Sequence, residues 1–161
     1  MPWKKKGCAQ QELSATFPLL HQDVLIALDD VFINPEPWFN HDASESEPVN
    51  DYNTNIMGRF ECRNRKCHSA GWGSKKIAIR IRGFRDNGYD AVVFKQRCRT
   101  CEKLGVMRID ENSYVERVAY RLKKWAGVYM ETHEYHNGVQ QGPPHESDLC
   151  EGCKAGYCPM R

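Results

Sequence analysis

The run Arg97-Cys98-Arg99-Thr100-Cys101-Glu102-Lys103 sets two thiols three positions apart among cations. Two sulfurs cannot complete a tetrahedral metal site, so the remaining ligands must come from elsewhere in the 161-residue chain. Cys62 and Cys67, Cys150 and Cys153, and Cys158 supply further thiols, and one histidine added to these brings the set to eight, enough for two four-coordinate sites. The tail HESDLCEGCKAGYC spaces His145, Cys150, Cys153 and Cys158 as H-x4-C-x2-C-x4-C. It is compact enough to wrap one ion locally, with Gly152 and Gly156 easing the backbone. Thiol-rich sets of this kind point to two structural Zn2+ ions. Saturated ligation leaves no open position for water or substrate, so such ions build a fold and do no chemistry.

The elements that must position these ligands are legible in part. Lys75 to Arg82, KKIAIRIR, alternates: Ile77, Ile79 and Ile81 face one way and Lys76, Arg80 and Arg82 the other, as a half-buried strand requires. The turn-rich GFRDNG follows, and then the β-branched and aromatic run YDAVVFKQ, so the pair reads as a β-hairpin. Cys67 precedes the first strand and Cys98 follows the second. Antiparallel pairing brings both to the open end, which assigns Cys62, Cys67, Cys98 and Cys101 to one site. An interleaved pairing of Cys62 and Cys67 with Cys150 and Cys153 stays open, as does replacement of His145 by His68, His133 or His136. A redox role for Cys98 and Cys101 lacks the βαβ setting of a thioredoxin-like protein, and Cys8 is left over as a free thiol.

Ser113-x-x-Glu116 has capping-box spacing, and Val115, Val118, Leu122 and Trp125 recur at helical intervals, predicting a helix over about 113–126. Leu19, Leu20, Val24, Leu25 and Leu28 predict an amphipathic helix within residues 9–30, packed on the body or docked to a partner protein. Residues 33–57, rich in Pro, Asn, Ser and acid, read as a linker, and 128–136 as a returning strand. The expected organisation is an N-terminal helical extension (1–32), an acidic linker (33–57) and a zinc-binding domain (58–161).

Charge is segregated along the chain. The net charge of +2 divides into −6 over residues 1–58, +11 over 59–126 and −3 over 127–161. Within the basic segment, Lys76, Arg80, Arg82, Arg97, Arg99 and Lys103 are candidates for a continuous cationic face that neutralises phosphates, with Trp72, Phe84 or Tyr89 stacking on unpaired bases. Cations also offset the formal −2 of a four-thiolate zinc site, and Lys or Arg on a strand's wet face is ordinary. Mean hydropathy is −0.70. No apolar run reaches the roughly 18 residues of a membrane span and no signal-peptide core follows the N-terminal lysines, so no membrane insertion is expected and the cytoplasm or nucleus is the expected location. In a reducing compartment the cysteines read as metal ligands in preference to disulfides. No paired carboxylates, phosphate-cradling loop or nucleophile motif argues for an enzyme.

Five stretches carry a family resemblance: GRFECRNRKC, Trp72 in HSAGWGS, VVFKQRCRTCEK, YVERVAYRLKKWAG and PHESDLCEGCKAGYC. Together, from about 58 to 158, the chain resembles the 3CxxC-type zinc-finger family shared by fungal proteins, receptor-transporting proteins and zygote arrest proteins. The resemblance implies zinc ligation by Cys62, Cys67, Cys98, Cys101, Cys150 and Cys153, completed by His145 and Cys158. The first pair departs from the family pattern, being C-x4-C, and the hydrophobic C-terminal anchor of receptor-transporting proteins is not seen. The long helix and the PH…CEGCKAGYC ending are more similar to the fungal and receptor-transporting branches, whereas FKQRCRTCEK is similar to the zygote arrest branch, whose zinc fingers bind RNA. The expectation is therefore an α+β domain: a zinc-ribbon-like hairpin, one long helix, two structural zinc sites and an N-terminal helical extension. It would act as a non-enzymatic module binding RNA or single-stranded nucleic acid, or alternatively as a protein-interaction adaptor or chaperone-like trafficking module.

Overall fold

Strand β4 (Trp72–Gly83) carries the predicted alternation: Ile77, Ile79 and Ile81 are fully buried on one side of the sheet in the computed structural model, which describes residues 12–130 and 145–160. Strand β5 (Gly88–Phe94) returns antiparallel to it, with Ile79 opposite Val93 and Gly83 opposite Tyr89. The connecting turn uses Asp86 and Asn87 at positive φ, a conformation these residues tolerate better than most. The hairpin thus forms where the sequence predicts it.

A further strand, β3 (Asn50–Glu61), pairs along the other side of β4, from Asn50 opposite Gly83 to Phe60 opposite Trp72, with a bulge between Ile56 and Gly58. Strand β6 (Val106–Ile109) flanks β3. On the far edge, β1 (Ser14–Ala15) and β2 (Trp38–Phe39) both pair with β5, antiparallel and parallel respectively. The order is β1-β5-β4-β3-β6, with β2 also on β5.

Helices cover the isoleucine face. Helix α2 (Glu111–Trp125) contributes Tyr114, Val118 and Leu122, and helix α1 (His21–Ala27), entered through a 3-10 turn at Pro18–Leu20, lies beside it. Leu20, Val24 and Leu28 join the same core. Helix α2 starts two residues earlier than predicted: Asp110 is the N-cap and accepts the Ser113 N–H at 3.1 Å, while the Ser113 hydroxyl accepts the Met57 N–H at 3.0 Å. Ser113 therefore tethers the helix to β3 and is not its cap.

The linker expectation for 33–57 is corrected. Residues 38–39 and 50–57 are strand, and Asn50–Glu61 is built into the middle of the sheet. The polar composition misled because β3 is held by its backbone ladder and offers mainly Ile56 and Phe60 to the core. The N-terminal helix is likewise not an appendage, since Val24 is fully buried in the main core. The expected strand over 128–136 and Cys8 fall mostly or wholly outside the described residues. Among the described residues, no helix is long and apolar enough to cross a membrane.

The opposite sheet face is not simply wet. Ala78, Val92 and Phe94 underlie the C-terminal segment, whose short helix α3 (Glu151–Ala155) brings Cys150, Cys153 and Cys158 into a second core with them. Gly152 permits this contact: a Cβ there would lie 2.3 Å from the Ala78 Cβ. Gly156, at φ 85°, terminates α3 in the left-handed region.

Candidate metal centres

The first centre lies at the open end of the hairpin. Cys62 follows β3, Cys67 stands five residues before β4, and Cys98 and Cys101 follow β5; none of these four is disulfide-bonded. Sγ of Cys62 and Cys101 are 3.6 Å apart and those of Cys67 and Cys98 are 3.9 Å apart. Sulfurs at Zn–S distances of about 2.3 Å in tetrahedral geometry are separated by about 3.8 Å, so the set fits zinc and lies far beyond disulfide contact. The longer C-x4-C loop is closed by Asn64, whose side-chain oxygen accepts the Lys66 N–H at 3.2 Å and whose carbonyl accepts the Cys67 N–H at 2.9 Å. The opposing knuckle is a tight turn: the Glu102 N–H donates to the Cys98 carbonyl at 2.7 Å, with Glu102 at positive φ.

The second centre is the C-terminal set. His145 Nε2 lies 3.3 Å from Cys153 Sγ and 3.6 Å from Cys158 Sγ, and the Cys153 N–H points at Cys150 Sγ, 3.4 Å away. A nitrogen and a sulfur on one tetrahedral zinc are about 3.6 Å apart, so this set also fits. All ligand atoms within each set lie within 4.8 Å of one another. Both clusters could hold zinc, in the grouping expected from the tail spacing and the hairpin and not in the interleaved one. His68 is outside both sets, and His133 and His136 lie outside the described residues.

Electrostatics within the sets favour divided protonation. Burial pushes the Cys98 thiol up, but the N–H groups of Cys101 and Thr100 and the Ser69 side chain outweigh it and bring it down to about 6. At Cys62 the Asn64 N–H pulls the pKa down, yet burial and the neighbouring thiols leave it at about 12. Burial takes Cys150 to about 12 as well. Burial, with a smaller contribution from Lys76, lowers His145, which keeps it neutral and able to ligate. Zinc uptake must therefore displace protons, and acidification opposes it.

The two centres share one segment. Gln96 forms an isolated β-bridge with Cys150; the Arg97 N–H donates to the Leu149 carbonyl at 2.8 Å and the Glu151 N–H to the Lys95 carbonyl at 3.1 Å. Arg97 Nε reaches Glu151 Oε1 at 2.6 Å, and Glu151 is buried. A ligand of each centre thus stands within two residues of the same bridge.

The six expected phosphate contacts divide. Arg80 pairs with Asp51 and lies 4.2 Å over the Tyr157 ring, Arg82 pairs with the buried Asp90 at 2.6 Å, and Arg97 pairs with Glu151. The expected continuous cationic strand face is broken up: Arg80 and Arg82 are each neutralised by a carboxylate and Arg80 lies against the Tyr157 ring, which leaves Lys76 as the unpaired cation of the three. Arg99 keeps 80% side-chain exposure and meets Glu146 at 3.1 Å. Lys76 is half-buried and Lys103 exposed, and neither forms an ion pair among the described residues. Phe84 and Tyr89, offered as base platforms, are buried in the structure. Trp72 is stacked on Phe60 at 5.1 Å and donates to Gln96 Oε1 at 3.1 Å.

Sequence reasoning missed where exposed cations gather. Arg63, Arg65 and Lys66 are exposed on the first knuckle, and Arg59 and Lys75 are exposed on β3 and β4. A cleft of about 1490 Å³ lies between the two centres, and Arg59, Trp72, Lys75, Lys76, Arg99 and His145 are among its lining residues. The signal available was CRNRKC itself, with three cations between two ligands.

A family model for a zinc-binding domain, the 3CxxC zinc ribbon, matches residues 55–156. The matched span starts inside β3, which agrees with that strand being part of the domain, and stops two residues before Cys158, whose place in the second set rests on geometry. No curated protein and no solved structure gives a significant match.

Proposed function

The chain belongs to the 3CxxC zinc-ribbon family, and from that premise we propose that it is a non-enzymatic module that binds RNA or single-stranded nucleic acid along the cleft between its two metal centres. The observation that carries the reading is the local excess of unpaired cations. Arg59, Arg63, Arg65, Lys66, Lys75, Lys76 and Lys103 form no ion pair among the described residues. Residues 58–76 hold six Lys or Arg against one acid, Glu61, which is itself paired with Arg108. That excess exceeds the formal −2 of a four-thiolate zinc site, leaving positive charge to release counterions from a phosphate backbone. Contacts to phosphates along such a cleft are sequence-tolerant, as single-strand binding requires.

Fluorescence anisotropy with a single-stranded RNA oligonucleotide across a salt series tests this. Replacing the cleft-lining cations Arg59, Lys75 and Lys76 together by Ala removes three phosphate contacts and should flatten the log–log salt slope by about 2. Arg80→Ala, by contrast, should leave the slope nearly unchanged because Arg80 already serves Asp51. Absence of binding at low salt, or a triple variant with wild-type slope, overturns the reading.

A further inference from the structure

The N-terminal surface has the opposite character to the cleft. Leu19 is 94% exposed, Ile26 64% and Phe32 89%. Leu19 and Ile26, seven positions apart on one continuous helical run, share a side and stand about 10 Å apart. Their exposure is not a register error, because Leu20, Val24 and Leu28 on the other side of that run are buried in the main core and fix its rotation. Burying a second apolar ridge would require another surface.

The charge around the ridge says what kind. Residues 12–58 contain all nine acidic residues of the N-terminal segment and no Lys or Arg. Asp23 and Asp29, exposed beside Ile26, form no ion pair among the described residues. Asp30 is paired with Lys123 at 3.0 Å, so the uncompensated acid beside Ile26 is Asp23 and Asp29; it disfavours nucleic acid and anionic membrane there and sets acid against acid if a second copy meets it face to face. We infer that Leu19, Ile26 and Phe32, within this acidic rim, dock a basic amphipathic segment of another protein, with apolar side chains at helical spacing flanked by Lys or Arg. Apolar contact supplies affinity, and opposite charge supplies encounter rate and partner choice. The inference does not depend on nucleic-acid binding at the cleft.

The test uses the zinc-loaded full chain and two labelled synthetic peptides of identical Leu/Lys composition. One has its leucines at i, i+3, i+4 and i+7 spacing; the other is scrambled so that no apolar face forms. The patterned peptide should bind at least about tenfold more tightly than the scramble, and Ile26→Asp or Phe32→Ser should remove that advantage. Asp23→Lys should weaken binding at low salt more than at high salt. Zinc content of the variants, whose side chains are exposed, checks that they fold. Equal binding of the two peptides, an advantage that survives both Ile26→Asp and Phe32→Ser, or self-association that depends on Ile26 overturns the inference.

Discussion

Asp90 shows how single residues decide what the surface offers. Its carboxylate is nearly inaccessible and takes both Nε and Nη2 of Arg82, at 2.8 and 2.6 Å. Two-point contact of this kind fixes both partners, and removing one strands a charge in a poorly solvated place. Asp90→Ala should therefore destabilise the zinc-loaded protein by about 3 kcal/mol in denaturant unfolding. A loss below about 1 kcal/mol would mean that the pair is solvated like an ordinary surface salt bridge. The alternation in KKIAIRIR correctly indicates that Arg80 and Arg82 point away from the isoleucine core. It holds no information on what they meet there, because Asp51 is 29 residues before Arg80 and Asp90 lies across a turn from Arg82. Direction is a local property of a strand; neutralisation depends on the tertiary contacts.

Among the elements, the legible ones announce themselves by period. The hairpin of β4 and β5 alternates with period two, and α2 repeats at helical spacing with buried Tyr114, Val118 and Leu122. Strand β3 has neither advantage: NDYNTN is polar, and its place is dictated by the ladder that β4 offers and by the need to deliver Cys62 to the first centre. The metal ligands were legible because coordination demands residue type and close spacing, whereas the bridge joining the centres uses backbone atoms that any sequence supplies. That bridge has an energetic consequence. Residues 95–97 are hydrogen-bonded to 149–151, so the C-terminal knuckle holds the strand end from which Cys98 projects. Disabling the second centre by Cys150→Ser with Cys153→Ser should lower zinc affinity at the first by about tenfold or more, a coupling within the ordinary range between linked sites. Competition with a metal-binding dye would read this directly. An unchanged first-site affinity would show that the centres load independently.

For the whole molecule, one sheet serves two cores. The isoleucine face is closed by α1 and α2, and the other is covered where Ala78 and Phe94 meet the C-terminal knuckle. The second core is small and its buried cysteines supply three of the four ligands of one centre, so metal binding there is part of folding and not an addition to it. Charge is divided too: the unpaired acids Asp23 and Asp29 lie on and just after α1, and cations gather around the first knuckle and the cleft. The binding proposed at either surface presupposes that the clamps are closed, which makes the metal count the decisive quantity. Native mass spectrometry of the full chain at neutral pH should find two zinc ions per chain, each replacing displaced protons, with chelation removing both and abolishing cooperative thermal unfolding. One ion or none in folded protein, or a metal-free mass reduced by pairs of hydrogens from disulfide formation among these cysteines, would contradict the account.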